Sequence, residues 1–309
     1  MFLSQYQFVL GVDLENYAES DELFNDANPC NIYFVLQRPK VTIDPKSFST
    51  SGKRALFDFI IHDKENERRI SFNIGIPKAK SEIKLITEYP FSKFELIDDT
   101  KTLLIARPSS LIDHISADKN FSMEILDYEI LYIGQAYGKN GNRTALNRLS
   151  AHETLQKIYT HSLTYNPGND IWVLLTTFSQ RSILLSGGID EKSYLTENEK
   201  RDDKMIKDFI DNNGLVFTEK QIINFTEAAL IKMFEPPYNK EFKNNFPNKK
   251  HSSYSECYSL DLRALTVELD TSEMIRRIYS KKAGRRIYHS QMFEFENDED
   301  RMSLLGMYR

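Results

Sequence analysis

With 309 residues, 40% of them hydrophobic and 28% charged, the chain is long enough for two domains and has the composition of a folded protein rather than a disordered one. A formal net charge of -5 argues against a coat spread over nucleic acid, and two cysteines, Cys30 and Cys257, exclude a disulfide framework and a cysteine-rich zinc site. The opening residues lack the basic start and unbroken apolar run of a signal peptide, so we expect a cytoplasmic protein with no membrane segment.

The first part of the chain reads as strands. Runs rich in Val, Ile, Phe and Tyr at 31–36, 55–62, 69–76 and 102–106 are separated by Pro, Gly, Asp and Ser. We therefore expect a β-rich domain over 1–115, within an α+β protein, because exposed sheet faces need a second layer to cover them. From 123 a strand-rich segment runs to Gly134, followed by a Gly/Asn-rich loop and a helix over about 143–161. The apolar, β-branched run at 171–178 follows Pro167 and Gly168 and predicts a buried strand. An insertion over 181–213 contains a helix at 200–211, and a last helix over 219–235 must stop at Pro236. Beyond 243 we expect a basic helical or irregular extension over 244–309, with a helix at 271–282 and an acidic tail at 294–300.

Positive charge is regional: Lys139, Arg143, Arg148 and Lys157 crowd one stretch, and 240–286 is again rich in Lys and Arg. Such regions can neutralise phosphates or stand as solvated surface.

Several polar residues lie where apolar ones are expected. Ile223, Glu227, Leu230, Ile231 and Phe234 share one helical face, so Glu227 interrupts an apolar stripe. A carboxylate there needs a cation or several donors, which a divalent metal or a structural salt bridge would supply. Arg148, His152, Leu155 and Tyr159 share a face of the earlier helix. A guanidinium and an imidazole so placed suit phosphate oxygens and proton transfer, and ordinary amphipathicity yields the same pattern. Tyr132 stands near the end of its strand, and Gly134 permits a turn. The loop glycines Gly138 and Gly141 do not have the spacing of a nucleotide-binding P-loop.

Leu131-Tyr132-Ile133-Gly134-Gln135 resembles the second signature strand of the GIY-YIG nucleases, and Arg148, His152, Glu227 and Pro237-Tyr238-Asn239 follow in the family's order. The resemblance spans 120–243 and implies a small mixed sheet flanked by helices. It implies a metal-dependent endonuclease acting on DNA more than RNA, in restriction or phage defence. Glu227 would hold Mg²⁺ or Mn²⁺, Tyr132 would help activate water, Arg148 would stabilise the transition state and His152 would relay the proton. Lys139, Arg143, Lys157 and Asn239 would contact nucleic acid, with Asn239 also holding the local architecture together. No Gly-Ile-Tyr run precedes Tyr132 at the usual hairpin spacing: Tyr128 is too close and Phe121 has no hydroxyl. The alternatives are a module of this scaffold that binds nucleic acid without cutting it, and a structural or protein-interaction protein. Neither a protein partner nor a homo-oligomer is predictable from the sequence.

Overall fold

The computed structural model describes residues 1–14, 24, 30–63, 66–115, 123–135, 153–181, 207, 211, 217–243 and 264–294. These form a mixed α+β fold with three sheets and three helices among the described residues. The strands are β1 (Phe2–Leu10), β2 (Ile32–Pro39), β3 (Val41–Ser51), β4 (Arg54–His62), β5 (Glu67–Gly75), β6 (Lys84–Thr87), β7 (Phe94–Ile97), β8 (Thr102–Ala106), β9 (Tyr128–Gln135), β10 (Asn169–Ser179), β11 (Ala264–Asp270), β12 (Ile278–Tyr279) and β13 (Tyr288–Glu294). The helices are α1 (Pro108–Ile115), α2 (Glu153–Tyr165) and α3 (Glu219–Phe234). No described helix is long and apolar enough to cross a membrane.

A seven-stranded sheet in the order β12-β9-β2-β10-β1-β11-β13 carries the helices that matter for the site. One of its faces presents Ile32, Phe34, Leu36, Ile130, Ile133, Trp172 and Leu174 to Ile223, Phe225, Leu230 and Phe234 of α3. The other presents Tyr33, Val35, Leu131, Val173 and Leu175 to Leu155 and Ile158 of α2. Burial on both faces explains why β2 and β10 are nearly unbroken apolar runs instead of alternating ones. The strand expected at 171–178 is β10, and the helix expected at 219–235 is α3.

Strand pairing departs from the boundary expected at 115. β1 and β2 do not join the other early strands: β1 pairs with β10, and β2 lies between β10 and β9. The β2/β9 pair is antiparallel and adjacent, so it would be a hairpin but for the chain between Pro39 and Tyr128. That intervening chain forms the sheets β3-β4-β5 and β6-β7-β8 around a separate core of Ile43, Phe57, Phe59, Phe94, Leu96 and Ile112. It leaves and returns at the same end of the pair, where Gln37 faces Glu129 in register, and this geometry lets an inserted domain leave a host sheet intact. Local strand propensity is the same on either side of Pro39, so only the pairing separates insert from host.

Arg38 fastens the two parts together. Its guanidinium lies 4.6 Å from the Tyr128 ring centroid and 4.5 Å from that of Trp172. It donates to Asp113 of α1 at 2.8 Å and to the Ser109 carbonyl, and Arg276 donates to the other oxygen of Asp113 at 2.8 Å. A charge this buried is tolerable only with such partners.

The helix expected at 271–282 is absent. Thr271–Lys282 is turns and the short strand β12, while β11 and β13 pair antiparallel at the far edge of the sheet. Asp270 Oδ1 accepts from the Ser272 N–H at 2.8 Å, forming an Asx turn, and Gly284 is left-handed with φ 66°. Ile278 and Tyr279, whose spacing with Ile275 suggested a helix, pair with Tyr128 and Glu129 of β9 instead. The start of the helix expected at 143–161, the insertion at 181–213 with nearly all of its 200–211 helix, and the acidic tail after 294 lie outside the described residues.

Candidate functional site

The site grows from the edge of β9. β12 pairs only with Tyr128 and Glu129, which leaves the rest of that edge to be satisfied by something else. The segment after α3 does so. The Tyr238 N–H donates to the Leu131 carbonyl at 3.1 Å. The Asn239 side chain then pairs with the backbone of Ile133, accepting from its N–H at 2.9 Å and donating to its carbonyl at 2.8 Å. Buried to 7% exposure, Asn239 acts as a one-residue substitute for a neighbouring strand. The carboxamide expected to contact nucleic acid is engaged with the Ile133 backbone.

What aims this segment is the way α3 ends. Thr218 and Gln221 form a capping box at its start, and Glu235 closes it in the left-handed conformation with φ 46°. Lys282 donates to Glu235 at 2.6 Å and to the Lys232 carbonyl at 2.9 Å, placing a cation on the helix C-terminus and holding the Glu235 carboxyl below its usual range. Pro236 and Pro237 then force the chain away toward β9.

A cavity of about 750 Å³ lies in the angle between β9, α2 and α3. Tyr132 of β9, Lys157 of α2, Glu227 of α3 and Asn239 all line it, so four residues nominated from the sequence meet at one place. Glu227 is half-buried between the core-facing and open sides of α3, next to Asn224 and Ile231. Lys157 is exposed, and His161 lies one helical turn further on. His161 Nδ1 shares a 3.0 Å hydrogen bond with the Tyr238 hydroxyl, whose pKa burial raises. Leu155 and Tyr159, from the predicted Arg148 stripe, turn toward the sheet, and burial pushes the Tyr159 phenol up to about 12. Lys139, Arg143, Arg148 and His152 lie outside the described residues.

A tyrosine of β2, Tyr33, lies beside Tyr132. Asn31-Ile32-Tyr33 opens β2, and Tyr33 pairs in register with Gly134. Its ring centroid is 6.1 Å from that of Tyr132, and it is 1% exposed. A β-carbon at residue 134 would stand 2.7 Å from Tyr33 Cζ, so Gly134 serves close approach of an aromatic ring and not the expected turn. The only sequence signal for Tyr33 was Ile-Tyr at the head of an apolar strand, separated from Tyr132 by the whole insert. His161 escaped notice, although the four-residue step from Lys157 to His161 places those two on one face of α2, and Tyr238 was read only as part of the Pro237-Tyr238-Asn239 segment.

The lining mixes Glu153, Glu227 and Glu241 with Lys157, Lys240 and His161. Among the described residues no group of three or more His, Cys, Asp or Glu side chains is arranged to hold a metal ion. Glu227 is half-buried on the lining of this open cavity. That suits a hard cation that keeps most of its water and takes one or two carboxylates, and it does not suit a closed protein cage. No family model, curated protein or solved structure matches this chain.

Proposed function

We propose that the chain is a metal-dependent endonuclease of GIY-YIG type that hydrolyses phosphodiester bonds, with DNA as the favoured substrate. The observation that carries this reading is convergence. Tyr132 and Glu227 line one cavity, Tyr33 packs beside Tyr132 through Gly134, and Asn239 closes β9 at Ile133, although these residues come from both ends of the described chain. Restriction or phage defence is the context that family analogy favours.

Glu227 is the residue to hold Mg²⁺ or Mn²⁺, which when bound offsets charge on a phosphate oxygen. Tyr132, with Tyr33 behind it, takes or passes on the proton of the attacking water as its oxygen bonds to phosphorus. The guanidinium of Arg148 offers a planar donor fork to the extra charge of the pentavalent transition state. His152 returns a proton as the leaving oxygen departs. Asn239 touches none of the reacting atoms: it holds Ile133, and so Tyr132 beside it, at the sheet edge.

Purified full-length protein incubated with plasmid, linear DNA and RNA, with and without Mg²⁺ or Mn²⁺, tests the proposal. Metal-dependent nicking or cutting is expected. Absence of cleavage across the panel rejects it, and tight nucleic-acid binding without turnover would favour the non-cutting module instead.

A further inference from the structure

Beside the first cavity lies a second, of about 460 Å³, that shares only Pro237 and Tyr238 with it. The Tyr238 phenol, bonded to His161, stands as the partition. The second cavity falls in the size range of small-molecule sites, roughly 300–1,000 Å³, and is far too small for a duplex. Leu131 and Ile158, on the α2-facing side of the sheet, and the exposed Pro237 give it an apolar wall, suited to a flat ring.

Its polar wall is organised. Asn169 donates to Gln37 Oε1 at 3.2 Å, which fixes the orientation of that amide, and Gln37 Nε2 in turn donates to Glu129 Oε2 at 2.8 Å. Glu129 Oε1 has no hydrogen-bond partner among the described residues. A carboxylate only accepts, so whatever meets Glu129 must donate. At the rim, Lys281 lines the cavity and makes no salt bridge among the described residues. Arg276, Arg277 and Lys282, by contrast, are paired with acids. A ligand with a flat apolar face, donor hydrogens on its edge and a phosphate behind it matches all three features.

We propose that this second cavity takes an unpaired base of the nucleic-acid strand next to the cleaved phosphate, and selects bases whose edge carries an amino group. Guanine, cytosine and adenine can each donate to Glu129. Thymine and uracil set two carbonyl oxygens around their single N–H and are repelled by the carboxylate. Because the base must be out of the stack to enter, single-stranded or mismatched DNA is preferred over perfect duplex. The inference rests on the nuclease reading for its position beside a phosphate, but base selection is measured without cleavage.

The test uses full-length protein in EDTA with fluorescein-labelled oligothymidylate carrying one central dG, dC or dT, read by fluorescence anisotropy. The dG and dC oligonucleotides should bind about 10-fold or more tightly than the dT one. Glu129→Gln, which replaces the carboxylate with an amide that can also donate, should reduce that preference to within roughly threefold, weakening dG and dC binding and relieving the repulsion of dT. Ser162→Leu, which fills the cavity from α2 and leaves Glu129 in place, should erase the preference as well. It carries the test if Glu129→Gln fails to fold. Equal binding of all three oligonucleotides, no binding of any, or a preference that survives both substitutions overturns the proposal. Metal-dependent plasmid cleavage without base preference would reject this subsite and leave the nuclease reading standing. Base-selective binding without cleavage would do the reverse.

Discussion

Gly134 and the ring of Tyr33 share one small volume: an added β-carbon at 134 would lie 2.7 Å from both Cζ and Oη of Tyr33 and 2.8 Å from Cε1 of Tyr132. Tyr33 is buried and cannot swing aside freely. We predict that Gly134→Ala lowers stability by roughly 1–3 kcal/mol, as overpacking does, and misplaces both phenols. Urea unfolding measures the first effect and single-turnover cleavage the second. A variant as stable as the parent would show that the two rings do not meet over Gly134 as described.

If the two neighbouring phenols act together on the attacking water, removing either hydroxyl should slow cleavage. We expect Tyr132→Phe and Tyr33→Phe each to reduce the single-turnover rate by about 10²-fold or more. The double variant should lose little beyond the worse single one, because groups acting as a unit are not additive. An unchanged rate across pH in Tyr33→Phe would confine that residue to packing.

Glu227→Gln keeps the size of the side chain and removes the charge. The expected result is a loss of metal-supported cleavage of about 10²-fold or more, with much smaller change in nucleic-acid binding. Isothermal titration with Mn²⁺ gives a readout independent of turnover, and the variant should lose Mn²⁺ affinity. If it cuts at the parental rate with the same metal dependence, Glu227 is not the metal-holding residue.

Asn239→Ala would strand the N–H and carbonyl of Ile133 in a buried edge. Each stranded group costs about 1–3 kcal/mol, so a drop in thermal midpoint is expected together with the loss of cleavage. Hydrogen exchange at the Ile133 amide should accelerate in step. Full stability with selective loss of nucleic-acid binding would return Asn239 to the contact role expected from the sequence.

His289 is buried against Phe234, with ring centroids 4.8 Å apart, and its Nε2–H donates to the Ile278 carbonyl at 2.9 Å. Burial holds its pKa below the ordinary 6.5, and His62 is shifted in the same direction for the same reason. The unfolded chain therefore binds more protons than the folded one just below that value. Stability is full above pH 6.5 and falls as the pH drops toward and through the folded pKa. Unfolding midpoints between pH 7.5 and 5 should show this fall, and His289→Phe should make it shallower, leaving the share of His62. A slope unchanged in the variant would assign the acid lability to other groups.

Local chemistry made much of this molecule legible from sequence. The apolar run after Pro167 and Gly168 gave β10, the proline pair after Glu235 marked the end of α3, and the Glu227 carboxylate betrayed itself inside an apolar stripe. Those signals depend on nearest neighbours along the chain. Tyr33 had no such signal, because what brings it beside Tyr132 is the antiparallel pairing of β2 with β9 across the whole intervening chain. The same holds for β11 and β13, whose pairing overrode a helix-like spacing at Ile275, Ile278 and Tyr279. Strand partners are chosen by which faces become buried together in three dimensions, and that choice leaves no periodic trace in either strand alone. The sequence by itself determined most of the elements and the residue types that line the cavity; the tertiary structure alone decided which strands became neighbours, and so which tyrosine faces Tyr132.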